Sequence, residues 1–382
     1  MTETNLELRR IELRAHVLRL PISQPVRTSF GTMHDRPAVL VQARDTDGAE
    51  GWGEAWCNFP PCGAEHRGRL IDTVLAAHLR EREFQSPAAA FAHLHDATAV
   101  LALQSGEPGP FAQAIAGVDL ALWDLVARRN AQPLWRLLGG SDPTVGVYAS
   151  GINPEHPERV VRARRNDGYR AFKLKIGFGA DIDIPNIERV VEAAGDGATV
   201  MVDANQAWSL EQALQMAGVL DRFDLAWVEE PLRADRPWSE WQELQRHSRT
   251  ALAAGENVAG ARGFDDLLAS GAVRVVQPDV AKWGGISGCL PVVRRIRAQG
   301  ATYAPHFLGA GIGLLHSAHL LAATGGGMLE VDSNPNALRS QLCGALAHPG
   351  NGRATLTEVE GIGVRPDIPT LRELCAASQS PD

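Results

Sequence analysis

Seven ionisable residues recur along the chain at nearly even intervals: Lys175, Asp203, Glu229, Glu256, Asp279, His306 and Glu330 are separated by 28, 26, 27, 23, 27 and 24 residues. Each lies at or near the end of a short run of β-branched and apolar residues, at 171–176, 199–204, 225–230, 251–256, 273–279, 301–306 and 328–332. Three successive carboxylates, Asp203, Glu229 and Glu256, cannot all stay ionised side by side without a cation. Hard oxygen donors completed by water suit magnesium, with manganese as the other choice. Asp279 followed one interval later by His306 is a carboxylate placed to orient an imidazole, which makes that ring a proton acceptor or donor. In Phe172-Lys173-Leu174-Lys175-Ile176 the apolar residues share one face of a strand and both lysines the other. Ammonium groups turned into a sheet interior need carboxylates or an anionic ligand beside them. Asn205 and Glu230 stand next to the carboxylates, either as groups that support them or as solvent-exposed side chains.

The interval of these residues is that of one strand-plus-helix unit. With a further run at 145–150, eight strand-like runs alternate with helix-length stretches after Pro143. This rhythm predicts a parallel sheet, and eight units favour closure into a barrel over an open doubly wound sheet. In a barrel all strand ends face one rim, so the seven residues would converge on one pocket, and no free edge exists to solvate a lysine face. Before Pro143, strand-like runs at 6–20 and 38–46, an Asp47-Gly48 turn and Gly51-Trp52-Gly53-Glu54 read as an antiparallel meander. Helical periodicity follows at 65–82, 87–103 and 111–129, closed by Gly139-Gly140. Past Asp332 the chain turns Gly- and Pro-rich and is expected to pack back on the first domain. The expected division is 1–142, a small α+β domain; 143–334, the barrel; and 335–382, the returning segment.

Composition narrows the classes. At 382 residues with 45% apolar and 21% charged residues the chain can bury a large core and is not disordered. A net charge of −8 without a long basic run argues against nucleic acid or an anionic membrane surface as partner. No uninterrupted apolar stretch reaches the roughly 18 residues of a bilayer span. The charged residues within 1–10 do not read as a secretory leader, so the expected compartment is the cytoplasm. Five cysteines without a C-x2-C pair are expected to be free thiols. No G-x-G-x-x-G follows a strand, and no G-x-S-x-G or phosphate-binding loop occurs, which disfavours dinucleotide-dependent and serine-nucleophile chemistry. The expected partner is a small molecule, and a homo-oligomer is expected. His316 and His319, three apart in an apolar helical stretch, are expected in the core or on a helix face, and Lys282 is left between pocket and solvent.

Lys-Leu-Lys, Val-Asp-Ala-Asn, Val-Glu-Glu-Pro, Gly-Glu-Asn, Gln-Pro-Asp-Val-Ala-Lys-Trp-Gly-Gly, Ala-Pro-His and the late Glu330 resemble the mandelate racemase branch of the enolase superfamily over nearly the whole chain. The resemblance implies a (β/α)7β barrel of the TIM type whose mouth is capped by the N-terminal α+β domain. It implies Asp203, Glu229 and Glu256 as magnesium ligands and Lys175 and His306 as bases on opposite faces of a substrate α-carbon. Asp279 would orient His306, while Lys173 and Glu330 would contact the substrate carboxylate. The implied reaction is α-proton removal from a carboxylate to give an enediolate, followed by β-elimination by an acid-sugar dehydratase or lactone cycloisomerase. A racemase or epimerase of a 2-hydroxy acid would use the same residues, and a non-catalytic ligand-binding barrel is the alternative of another class. Two cap loops, with Arg27, Thr28 and Phe30 in one and Trp56 and Asn58 in the other, are expected to select the substrate, an acid sugar or its lactone.

Overall fold

The computed structural model describes residues 4–28 and 31–378, and for 23, 24, 27 and 28 the backbone alone. The N-terminal part is built on a three-stranded antiparallel sheet, in which Gly31–Arg44 lies between Glu12–Thr28 and Glu50–Ala55. The Asp-Gly turn forms as its residues dictate: the Asp45 carboxylate accepts from the amides of Asp47 (3.0 Å) and Ala49 (2.8 Å), and Gly48 takes φ +82°. The two long strands run further than the alternation suggested. Residues 27, 28 and 31, which read in sequence as loop, lie on an antiparallel arm in which Arg27 pairs with Thr32 and Thr28 with Gly31; the arm is irregular in register between Pro21 and Val26.

Gly51 and Gly53 let the helix Pro108–Arg129 lie directly on the strand Glu50–Ala55. A Cβ on Gly53 would stand 2.1 Å from the Gly117 carbonyl oxygen, and one on Gly51 2.2 Å from the Leu125 nitrogen. The alternate residues, Trp52 and Glu54, consequently face the other way, Trp52 toward the C-terminal segment and Glu54 toward the barrel. Pro108–Arg129 is long and apolar enough to cross a membrane by length and composition, although Gln113, Asp119 and Asp124 interrupt it; 89% of its apolar window is buried inside the protein, as in a core helix.

Eight parallel strands form the second part among the described residues: Thr144–Ile152, Ala171–Lys175, Thr199–Asp203, Val228–Glu229, Leu252–Ala254, Val275–Val276, Thr302–Tyr303 and Met328–Asp332. They pair in chain order, and the eighth returns to pair with the first. The Gly327 amide closes the remaining seam on the Tyr303 carbonyl at 2.6 Å. A layer of Tyr148, Ala171, Met201, Trp227, Ala253, Val275 and Ala304 fills the interior, while alternate residues such as Phe172 and Leu174 pack outward under the helices. The sheet is a (β/α)7β barrel with a separate N-terminal domain.

Strands four to seven are shorter than the apolar runs. Pro278 and Pro305 have no N–H to offer a ladder, and Gly255 turns the chain at φ +148°. Glu256, Asp279 and His306 therefore sit on loops just past the paired residues, and Glu330 sits mid-strand. The C-terminal segment divides its contacts: Arg353–Thr355 pairs antiparallel with the start of the first barrel strand, and the helix Ile368–Ala377 packs on the cap strand Glu12–Thr28. All five cysteines are free.

Candidate active site

Lys173 and Lys175 both point into the barrel, 1% and 8% exposed, as strand alternation requires. Their surroundings differ. Lys173 Nζ lies 2.5 Å from Glu229 Oε1, 2.8 Å from Glu330 Oε1 and 3.9 Å from Asp203 Oδ2, and over the Tyr148 ring. Burial would lower its pKa; Glu229, Glu330 and Asp203 outweigh that and hold it well above the usual lysine range. Lys175 reaches higher, into the cavity, and donates to Asn205 Oδ1 at 3.1 Å.

His306 is fixed from both nitrogens. Nδ1 meets Asp279 Oδ2 at 2.8 Å and Nε2 meets Glu256 Oε2 at 2.7 Å. The other Asp279 oxygen accepts from the amides of Ala281 (2.8 Å) and Lys282 (3.1 Å), so the carboxylate that aims the ring is itself anchored. Burial would lower the imidazole pKa, but Glu256, Glu330 and Asp279 raise it well above 6.5.

The three candidate ligands lie at the ends of neighbouring strands. Burial raises the pKa of Asp203, and that of Glu229 to about 7; burial together with Glu256 raises Glu230 still more. Glu256 moves the other way, well below the usual range, because His306 and Lys282 outweigh its burial. Glu229 lies beneath the cavity, held by Gln277 Nε2 (2.6 Å) and Trp227 Nε1 (3.2 Å) as well as Lys173. Among the described residues no three carboxylate, imidazole or thiol groups converge at metal-ligating spacing: Lys173 lies between Asp203 and Glu229, and His306 and Lys282 hold Glu256. The donor set nevertheless suits a divalent cation. Ion pairs and hydrogen bonds join six carboxyl groups (Asp203, Glu229, Glu230, Glu256, Asp279, Glu330) and four cations (Lys173, Lys175, Lys282, His306) in one network, leaving two negative charges in excess when all are ionised. All its anionic donors are hard oxygens.

Lys175, Asp203, Glu256, His306 and Glu330 line one cavity of about 270 Å³. Asn205 supports it from the side, bonding Asp203 through its backbone amide (2.8 Å) and its Nδ2 (2.9 Å). Of the cap residues, Trp56 lines the mouth with Val26 and Phe59; its ring lies 4.9 Å from Lys282 Nζ, which places that lysine at the pocket. Asn58 turns away from the cavity and donates to the Leu308 carbonyl at 2.6 Å. The Arg27 and Thr28 side chains and all of Phe30 lie outside the described residues.

Several groups in or beneath the cavity escaped the sequence reading although strand parity marks them. Ser150 ends the first barrel strand's inward row and donates to Glu330; Gln277 is two before Asp279; Asp332 is two past Glu330 and lines the cavity, paired with Arg36 and Arg339. Asn257, which bonds Glu230 and Glu256 and accepts from Lys282, follows a loop glycine and carries no such signal.

Known proteins share this arrangement of cap and barrel. Residues 10–139 match the family described as mandelate racemase / muconate lactonizing enzyme, N-terminal domain, and residues 156–370 the enolase C-terminal domain-like family. A 3,6-anhydro-alpha-L-galactonate cycloisomerase of Streptomyces coelicolor is 32% identical over 280 residues, 72% of this chain and 75% of that protein. A crystal structure of a mandelate racemase/muconate lactonizing enzyme from Bordetella bronchiseptica superposes with a TM-score of 0.92 at 56% identity, covering 97% of this chain and 100% of that one. An L-talarate/galactarate dehydratase mutant, crystallised with magnesium and L-glucarate, superposes with a TM-score of 0.83 at 27% identity, covering 98% and 94%. By both its domains the chain belongs to the mandelate racemase/muconate lactonizing enzyme branch of the enolase superfamily.

Proposed function

We propose that this chain is a magnesium-dependent enzyme that removes the α-proton of an acid sugar or its lactone and then expels the β-substituent, as a dehydratase or cycloisomerase. The observation that carries this reading is a single cavity lined by Lys175, by His306 with its Asp279 partner, and by the carboxylates Asp203 and Glu256. Asp203, Glu229 and Glu256 would hold the ion. Bound magnesium supplies charge to offset the second negative charge that grows on the substrate carboxylate as the proton leaves.

Lys175 Nζ, in its neutral amine form, takes the α-proton, and the C–H electron pair moves into the enediolate. As that pair returns, the C–O bond at the β-carbon breaks and His306 Nε2 hands its proton to the departing oxygen, giving the enol of a 2-keto acid. Glu330, bonded by Ser150 and Lys173, faces the same cavity and would donate to a substrate carboxylate oxygen when it carries a proton. Where no β-substituent can leave, Lys175 and His306 exchange the α-proton between faces, which is the racemase reading. The test is a screen of acid sugars and their lactones with magnesium, read by semicarbazide trapping of 2-keto products. A 2-keto product from one acid-sugar family supports the reading, α-proton exchange without it supports racemisation, and neither with any acid sugar overturns both.

A further inference from the structure

Glu54 belongs to the cap, yet its carboxylate ends on the loop and helix that follow the seventh barrel strand. It is 2% exposed, and its oxygens accept from the amides of Ala310 (2.6 Å) and Gly313 (2.8 Å), at the start of the barrel helix Gly311–Thr324. A helix N-terminus with unsatisfied amides favours a carboxylate at this point. The approach is built into the sequence on both sides. Gly51 and Gly53 bring the cap helix against one face of the strand and so turn Glu54 to the other. Across the interface, a Cβ on Gly309 would stand 2.6 Å from Glu54 Oε1.

The segment that Glu54 grips is the one that leaves His306. Phe307 follows that histidine; its amide donates to Glu330 Oε2 at 3.3 Å, and its ring fills the space that side chains on Gly309 and Gly313 would occupy. The rest of the cap connection holds the same two loops: the Trp56 amide bonds the Ala281 carbonyl (3.0 Å), two residues past Asp279, and Asn58 bonds the Leu308 carbonyl, two past His306. Residues 54–58 of the cap are thus stitched to the loops carrying both members of the dyad, and one of them, Trp56, lines the pocket mouth.

We propose that Glu54 is a positioning residue for His306: by clamping residues 307–313 it sets the imidazole against the substrate, and it couples the placement of the cap loop bearing Trp56 to that of the Asp279–His306 dyad. This rests on the two-base reading above. Lys175 stands on a different element, the strand Ala171–Lys175, which pairs with Thr199–Asp203, and bonds Asn205.

Glu54→Gln tests it. A carboxamide offers one acceptor oxygen where two amides donate, so one N–H meets the NH2 group, donor against donor. The measurement is α-proton exchange in deuterium oxide by NMR, with magnesium, using the C2 epimers D-gluconate and D-mannonate and the epimers galactarate and L-talarate. The His306-side reaction is the one lost in His306→Asn, and the Lys175-side reaction the one lost in Lys175→Ala. Glu54→Gln should slow His306-side exchange by roughly 10- to 100-fold, the size expected for a group displaced by about 1 Å, while Lys175-side exchange stays within about twofold. Equal loss on both sides, or none, overturns the proposal. If Glu54→Gln does not fold, Glu54→Asp keeps the charge but is one methylene short, and the same comparison applies.

A second readout is independent of turnover: the Nδ1 proton resonance of His306 in histidine-labelled protein, assigned by its loss in His306→Asn. It should shift in the Glu54 variant, and an unchanged resonance overturns the proposal. Wild type that exchanges no acid sugar overturns the functional reading instead, and the resonance then decides the positioning role alone.

Discussion

Lys173 is the cation on which the centre of the barrel depends, since among the described residues it alone touches Glu229, Glu330 and Asp203 together. Lys173→Met keeps much of its volume and leaves those buried carboxylates without it, a change that costs about 3–5 kcal/mol when one partner of a buried pair is removed. If the same carboxylates hold magnesium, the ion should recover part of the loss. Thermal unfolding should then show a larger magnesium-induced rise in Tm for Lys173→Met than for wild type, and an equal or smaller rise would place the ion elsewhere. His319 gives a pH-dependent prediction away from the site. Its Nδ1 accepts from the Trp135 amide at 3.0 Å and its ring faces the Ile362 carbonyl, with His316 and Arg128 as the nearby charges. Burial, reinforced by His316, lowers its pKa to about 3. Below the unfolded pKa near 6.5 the unfolded chain binds a proton that the folded chain refuses, so this contribution is full above pH 6.5 and is lost as pH falls toward 3. Between pH 7 and pH 5 the loss is about 2 kcal/mol. His319→Gln can still accept from Trp135 and does not titrate; urea unfolding at the two pH values should show a smaller drop for the variant, and equal drops would mean that His319 is not the group responsible.

At the scale of elements, the proposed function would have the cap connection govern choice of substrate and the barrel the chemistry. Trp56 meets Lys282 and the pocket mouth, while the reacting groups stand on barrel strand ends. Trp56→Ala should therefore shift relative kcat/KM among acid sugars by about tenfold, and change α-proton exchange of any one of them less. A uniform loss across substrates would assign the loop to folding or catalysis. The elements also show which parts of the site were legible in sequence. The lysine pair could be read because Phe172 and Leu174 fix the parity of a fully paired strand, and Asp203 and Glu229 because each closes its run. Glu256, Asp279 and His306 were found by spacing although they sit past the paired residues, since Gly255, Pro278 and Pro305 stop pairing without lengthening the unit. The hairpin arm was missed because Pro21 and Pro25 break the alternation that a strand displays, and Asn58 was misread because a loop residue's direction depends on a partner, the Leu308 carbonyl, 250 residues away. Glu54 looked like part of a turn-strand signature; its role depends on a helix at the far end of the chain.

For the molecule as a whole, buried carboxylates on the cap act as fasteners between regions distant in sequence. Asp119 accepts from the Ser287 amide at 2.9 Å and from its hydroxyl at 2.5 Å, at the start of the barrel helix Gly285–Ala298, just as Glu54 does at the next one. Asp124, one turn further along the same cap helix, is fully buried. It accepts from the Trp52 amide (2.8 Å), from Arg128 Nε (2.8 Å) and from the Ile362 amide (2.7 Å), joining cap strand, cap helix and C-terminal segment at one side chain. Gly361 at φ +66° is what admits it: a Cβ there would lie 2.1 Å from Asp124 Oδ1. Asp124→Ala strands a buried guanidinium and two buried amides at once, and should lower stability by about 3–5 kcal/mol. Because each of its three partners lies on a different part of the fold, the loss should fall on the whole chain and not on the C-terminal segment alone. Urea unfolding followed by tryptophan fluorescence and by far-ultraviolet circular dichroism should then give coincident midpoints, both lowered in the variant. Midpoints that separate in Asp124→Ala would show instead that the cap with the C-terminal segment unfolds apart from the barrel once this carboxylate is lost.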